Sequence, residues 1–187
     1  MGEDPQTAWT GVYCLREYNP YRLFGELNPA FKKATDGRLL DLKDNYDRGV
    51  TAAAEDFRQG LEPLGLPTGT VVVIVPGHGA NRSNMDRPLA RAAQALARLD
   101  KRYVASVDTL IRTKTVPKKT DGGSRDIAVD LNSIIVMNSS NLKGATVVVL
   151  DDTATTGGSL TAARQLLNAA GAKKIAAVAI GRTVKYF

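Results

Sequence analysis

The chain reads as an α/β protein built on a doubly wound, mostly parallel five-stranded sheet. Three observations predict this. Val71-Val-Val-Ile-Val75 and Val147-Val-Val-Leu150 are continuous apolar runs rich in β-branched residues, as strands covered on both faces are. Segments with helical periodicity alternate with the apolar runs, which is the pattern of strand-helix-strand units. Both valine runs break into polar, glycine-bearing turns, Pro76 to Gly79 and Asp151 to Ser159, and in an open α/β sheet ligands collect at such strand ends.

The elements follow in order. From Met1 to about Asn45 the pattern is irregular, with Trp9, Tyr13, Tyr18, Tyr21, Phe24 and Phe31 interleaved with Pro5, Pro20 and Pro29. This segment is expected to be ordered without forming a regular layer, so residues 1–45 are set apart as a small irregular N-terminal hood and residues 46–187 as the core. Val50, Ala53, Ala54, Phe57 and Leu61 recur at helical spacing, predicting a helix from a cap at Asp44 or Asn45 to Leu61, closed by Gly65 to Gly69. Beyond the first valine strand, Leu89, Ala92, Ala93, Leu96 and Ala97 give a helix over Pro88 to Leu99 with Asp86 as its cap. Arg87 and Arg91 stand near its start, where the helix dipole disfavours a cation unless an anion lies close; with Arg82 they are candidates to supply charge to such an anion.

Tyr103 to Ile111 reads as one strand. Arg112 to Arg125 is basic and rich in turn formers, and a loop of that length inside a compact domain commonly serves as a lid. Ile127 to Leu131 reads as a short helix and Ile134 to Met137 as a strand. Asn138 to Gly144 then turns into the second valine run. Leu160, Ala163, Leu166, Leu167 and Ala170 mark the next helix, Gly171 stops it, and Ile175 to Ile180 is the last strand.

Composition narrows the function classes. The 187 residues fit one domain of common size with room for a full core. The 25 Lys and Arg against 19 Asp and Glu leave a net charge of +6, which suits anionic small molecules and also nucleic acid. A single cysteine, Cys14, excludes an internal disulfide and a zinc site of the paired-cysteine type. No apolar run approaches the ~20 residues of a membrane span, and Met1 to Thr10 lacks the layout of a signal peptide. A soluble cytoplasmic protein with no membrane partner is expected.

The chemistry concentrates in Val147 to Ser159. Asp151 and Asp152 close the apolar run, and Thr155, Thr156, Gly157, Gly158 and Ser159 lead into a helix. Backbone N–H groups and hydroxyls there can meet a phosphate at the positive helix end. The two carboxylates sit one step back, at the height of a pentose ring, able to accept from vicinal hydroxyls directly or to reach them through a divalent cation. Ser159 also fits an ordinary helix cap. His78, the sole histidine, belongs at a loop tip, facing phosphate or water rather than acting as a general base.

Val147 to Ser159 resembles the phosphoribosyl-pyrophosphate-binding motif of type I phosphoribosyltransferases: a hydrophobic strand, two acidic residues, small residues, then Thr-Gly-Gly-Ser. The likeness continues in an earlier strand ending in a glycine turn, a basic loop before the motif strand, and an irregular hood. Within that family the order of features is most similar to the ComF-like group, from which the chain departs in lacking a cysteine-rich zinc finger. The resemblance implies the type I phosphoribosyltransferase fold and transfer of phosphoribosyl from phosphoribosyl pyrophosphate to a nitrogenous acceptor, a nucleobase or amine, with release of pyrophosphate.

It further implies roles for individual residues. The 5-phosphate falls to Thr153, Ala154, Thr155, Thr156, Gly157, Gly158 and Ser159. Pyrophosphate falls to Pro76, Gly77, His78 and Gly79, with a strained non-proline cis peptide in that loop, and to Arg112, Lys118 and Lys119 of the lid. Asp151, Asp152 and Lys114 are the implied catalytic residues, with Mg2+ as cofactor near Asp151 and Asp152 through ribose hydroxyls or water. Homodimers, common among relatives, are implied here too. Thr155 stands where members acting on 6-oxopurines carry an aspartate, which argues against hypoxanthine or guanine as acceptor. A noncatalytic relative that senses nucleotides or binds nucleic acid is the alternative that the basic balance keeps open.

Overall fold

The computed structural model describes residues 4–23, 25–80, 83–117, 126–137 and 139–184. The chain opens with a helical turn α1 (Thr7–Thr10), strand β1 (Tyr13–Tyr18), and a short ribbon of β2 (Arg22–Leu23) and β3 (Glu26–Leu27). Helices α2 (Asp36–Lys43) and α3 (Asp47–Leu61) follow, then β4 (Thr70–Ile74), α4 (Pro88–Leu99), β5 (Tyr103–Ala105) and β6 (Leu110–Arg112). The second half holds α5 (Ile127–Leu131), β7 (Ile134–Val136), β8 (Thr146–Ala154), α6 (Gly158–Ala169) and β9 (Lys174–Thr183).

The central sheet has five strands in the order β1-β9-β8-β4-β5, with every neighbouring pair parallel. The α/β prediction holds, and one strand changes place. Ile134–Val136 does not enter this sheet; it pairs antiparallel with Leu110–Arg112 in a separate ribbon. The single strand expected over Tyr103 to Ile111 is therefore two strands, interrupted where Ser106 and Asp108 bring polar groups that bond to Thr109 and to Ser83 and Asn84. The vacant fifth place goes to β1, inside the segment expected to form no regular layer. As an edge strand its outer margin meets no neighbouring strand among the described residues, so it tolerates Arg16 and Glu17 and lacks the continuous apolar run that marks β4 and β8.

Alternation along the strands sorts the core. Val72, Ile74, Val148, Leu150, Ala176 and Val178 pack toward Leu39, Leu42, Phe57, Leu61 and Leu96 of α2, α3 and α4. Val71, Val73, Val147, Val149, Ile175 and Ala177 pack on the other face toward Leu160, Ala163 and Leu167 of α6 and Leu110 and Ile134 of the β6–β7 ribbon. Both faces are covered, so both parities of each valine run are buried.

Charged groups fasten the N-terminal part to this core. Asp56 of α3 takes Arg16 of β1 at 2.9 Å and Arg38 of α2 at 3.1 Å. Asp36, 1 % exposed, accepts from the backbone N–H of Asn19 and of Lys32 at 3.2 and 2.8 Å. Helix boundaries follow local chemistry. α4 begins at Pro88, whose missing N–H costs nothing there, with Arg87 rather than Asp86 in the cap position. α6 ends in Gly171 at φ +95°, with the N–H of Gly171 reaching the Asn168 carbonyl and that of Ala172 reaching Leu167, the paired bonds of a Schellman stop.

Candidate functional site

Sheet order fixes where a ligand belongs. From β4 the chain crosses outward to β5, and from β8 it crosses the other way to β9 and so toward β1. The direction of winding reverses between β4 and β8, and the crevice beyond their carboxyl ends is the place where open α/β sheets bind ligands. β4 leaves that crevice after Ile74 pairs with Leu150. β8 continues to Ala154 against β9 alone, pairing Asp151 with Ala179 and Thr153 with Gly181. The strand thus runs through the acidic pair instead of ending at it, and beyond the reach of β4 the two carboxylates project to opposite faces.

A cavity of about 430 Å³ opens there, lined by Asp151 through Leu160 and, on its far wall, by Tyr18, Pro20, Lys43 and Thr183. Every residue from Thr153 to Ser159 assigned from the sequence to a phosphate cradle is on that wall. Gly157, the residue before α6, has φ +76°, a left-handed conformation that glycine adopts without strain, and a Cβ there would lie 2.8 Å from Val12. The peptide can therefore turn sharply and present the first N–H groups of α6 to the cavity. Thr155 Oγ1 and Thr183 Oγ1 are 3.2 Å apart, linking the cradle to the end of β9.

The acidic pair is electrostatically tense. Burial, and then the charge of Asp152, push the Asp151 carboxyl well above the usual carboxylate range, with Lys43 opposing them. Asp152 bends its Oδ1 to the N–H of Thr153 at 2.6 Å, and its Oδ2 lies 3.8 Å from Lys43 Nζ. Lys43 also contacts Thr153 Oγ1 at 3.4 Å and lies over the Tyr18 ring at 4.9 Å. Nothing in the sequence pattern singles out Lys43, a lone lysine ending a short helix.

On the β4 side, Pro76 is buried, Gly77 and Gly79 are partly covered and His78 is exposed. All peptides of the described residues are trans, so the cis peptide implied for this loop is absent from this structure. Arg87 lies against Gly77: a Cβ added to Gly77 would sit 2.5 Å from its Nη2. Its Nη1 is buried with no hydrogen-bond partner among the described residues, and burial lowers its pKa while Asp151 and Asp152 draw it back up. Arg91, by contrast, is engaged by Asn45 Oδ1 at 2.8 Å and by Asp47.

The lid residues divide. Lys114 is exposed, while Lys118 and Lys119, with Arg82, lie outside the described residues. Arg112 does not belong to a lid. It is the last residue of β6, 3 % exposed, and its guanidinium is bonded to Asp130 at 2.7 Å, to Ser133 Oγ and to the Gly77 carbonyl. A basic residue at the start of a polar stretch looks the same in sequence whether it faces solvent or a buried carboxylate 18 positions away.

The phosphoribosyl transferase domain family matches residues 87–183, a span that begins at Arg87 and includes the acidic pair and the cradle. The chain belongs to the phosphoribosyl transferase family. It is accordingly an enzyme of the glycosyltransferase type, moving phosphoribosyl from phosphoribosyl pyrophosphate. Among solved structures it is similar to a Trypanosoma cruzi hypoxanthine phosphoribosyl transferase, at 12 % identity and a TM-score of 0.41, over 80 % of this chain and 71 % of that one. It is also similar to the hypoxanthine-guanine phosphoribosyl transferase of L. donovani, at 10 % identity and a TM-score of 0.40, over 80 % of this chain and 79 % of that one. No curated protein matches the chain. No helix among the described residues is long and apolar enough to cross a membrane.

Proposed function

We propose that this phosphoribosyltransferase uses Mg2+ and hands the phosphoribosyl group to a nitrogen nucleophile, a nucleobase or amine, releasing pyrophosphate. The observation that carries the reading is the cavity at the winding reversal, which joins two adjacent carboxylates to a helix-start phosphate cradle on one wall. In this reading Thr153 to Ser159 hold the 5-phosphate through N–H groups and hydroxyls, and Asp151 and Asp152 accept from the ribose hydroxyls. The turn at Gly77 to Gly79 receives the pyrophosphate, and Arg87, with a buried donor that lacks a partner among the described residues, supplies its countercharge. Lys114, with Lys118 and Lys119 of the same loop, adds cations from the solvent side.

The site suits magnesium. The tension that raises Asp151 is relieved by a cation nearby. Among the described residues no cluster of three or more ligating side chains stands close enough to hold a metal, and magnesium around phosphates keeps most of its ligands as water and substrate oxygens. When bound, the ion neutralises charge on the departing pyrophosphate. The chain itself fixes both ends of the donor, screens the carbon under attack from water, and stabilises the leaving charge through Arg87. The nitrogen nucleophile closes the new C–N bond at the anomeric carbon as the C–O bond to pyrophosphate breaks, and its proton passes to solvent or a nearby base.

The test is pyrophosphate release from phosphoribosyl pyrophosphate and Mg2+ across a panel of bases and amines. Release with one acceptor, abolished in Asp152→Asn with the fold intact, supports the reading. No release with any acceptor, together with salt-sensitive binding to RNA or DNA, would replace it with the noncatalytic alternative. A homodimer is expected and is read from the mass of the protein in solution.

A further inference from the structure

The buried network around Arg112 joins two parts of the site that the chain connects only through long excursions. Arg112 Nε donates to the carbonyl of Gly77, in the turn after β4, and Nη1 donates to Ser133 Oγ. Nη2 donates to Asp130 Oδ1 at 2.7 Å, and the other oxygen of that carboxylate accepts from Ser159 Oγ at 3.0 Å, in the first turn of α6. Arg112 is 3 % exposed and Asp130 is fully buried. An unbroken path therefore runs Gly77, Arg112, Asp130, Ser159, from the turn assigned to pyrophosphate to the cradle assigned to the 5-phosphate.

Two charges are not taken out of water without consequence: an apolar pair of equal volume would serve stability as well or better. What an apolar pair cannot do is hold a backbone carbonyl and a hydroxyl at fixed distances through directional bonds, since a guanidinium donates in a rigid planar fork. The hydroxyl of Ser159 is moreover engaged as a donor to Asp130, so what Ser159 offers a phosphate is its backbone N–H.

Resting on the donor-site reading above, we infer that Arg112 and Asp130 are positioning residues that set the spacing between the Gly77 turn and the start of α6, and thereby match the site to a sugar phosphorylated at both ends. A ligand that fills only the cradle does not depend on that spacing. A ligand that spans both halves does.

The experiment compares ribose 5-phosphate with phosphoribosyl pyrophosphate, both with Mg2+, by titration calorimetry on the full chain. Arg112→Met with Asp130→Leu removes the path while keeping the volume filled. Ribose 5-phosphate affinity is expected to stay within a few-fold of the unmodified chain, while the preference for phosphoribosyl pyrophosphate over ribose 5-phosphate falls about tenfold or more, as the loss of one hydrogen bond to a charged group does. Equal weakening of both ligands, or an unchanged preference, overturns the inference. Should the double variant fail to fold, Ser159→Ala decides, because it cuts the link to α6 and leaves the ion pair whole. A reduced preference then supports the inference, and a preference equal to that of the unmodified chain overturns it. If the unmodified chain binds neither ligand, the donor-site reading itself fails.

Discussion

Asp151 carries a consequence for stability that is separate from the role proposed for it. Its carboxyl is raised by burial and by Asp152, so the folded chain holds a proton that the unfolded chain releases. A group raised in this way lends stability that is complete below its unfolded pKa and is lost as pH rises through its folded pKa. Near neutral pH the pair is therefore a liability in the ligand-free protein. Asp151→Asn should raise the melting temperature at about pH 7–8 and match the parent near pH 4, each kcal/mol relieved counting for about 2–4 °C at this length. Melts of both proteins across that range check it; a variant less stable at neutral pH would refute the electrostatic account. Arg87 gives the complementary case. With one donor unpartnered among the described residues, Arg87→Met should leave stability unchanged or higher and weaken pyrophosphate binding about 10–100-fold, the value of a hydrogen bond to a charged group, as measured by calorimetry. At this scale the sequence is readable where chemistry is contiguous, as in Asp151 to Ser159. It is unreadable where function depends on a partner elsewhere: Arg112 reads as a solvent-facing lid residue because Asp130 is joined to it only by the fold, and Lys43 meets Asp152 across more than a hundred positions.

Elements are legible in proportion to how completely they are buried. Val71 to Ile74 of β4 and Val147 to Leu150 of β8 are apolar throughout because both faces are covered, while β1, with Arg16 and Glu17 on the sheet edge, carries no such mark. α6 shows how one element serves fold and site through different glycines. At Gly171, with φ +95°, a Cβ would meet nothing nearer than 3.6 Å, whereas at Gly157, with φ +76°, it would meet Val12 at 2.8 Å. Gly171→Ala should therefore cost about 1–2 kcal/mol, the left-handed penalty alone, and leave phosphate affinity intact. Gly157→Ala should cost more, adding about 1–3 kcal/mol of overpacking, and should weaken ribose 5-phosphate binding because the first N–H groups of α6 are re-aimed. Denaturant melts paired with calorimetry separate the two, and equal losses of affinity at both positions would contradict the cradle geometry.

At the scale of the whole molecule the decisive feature is the reversal of winding between β4 and β8, which no local pattern reveals because it depends on which strands become neighbours. The same pairing makes the N-terminal segment part of the sheet: β1 covers β9 from Val178 to Thr183, and Tyr18 at its end forms a wall of the cavity. Packing reinforces the pairing, since Leu15 occupies the space that a side chain at Gly60 of α3 would need and Tyr18 does the same at Gly181. Removing residues 1–18 would expose one margin of β9, strip Arg16 from Asp56 and leave it Arg38 alone, and open the cavity on one side. An uncovered strand margin is a template for pairing with other chains. A chain beginning at Asn19 should therefore lose its cooperative melt and elute as aggregates on size-exclusion chromatography, with no measurable ribose 5-phosphate binding. A monodisperse truncated protein with an unchanged melt would mean that β1 is a cover laid on a self-sufficient sheet, and that the core stands without the segment that closes the cavity wall.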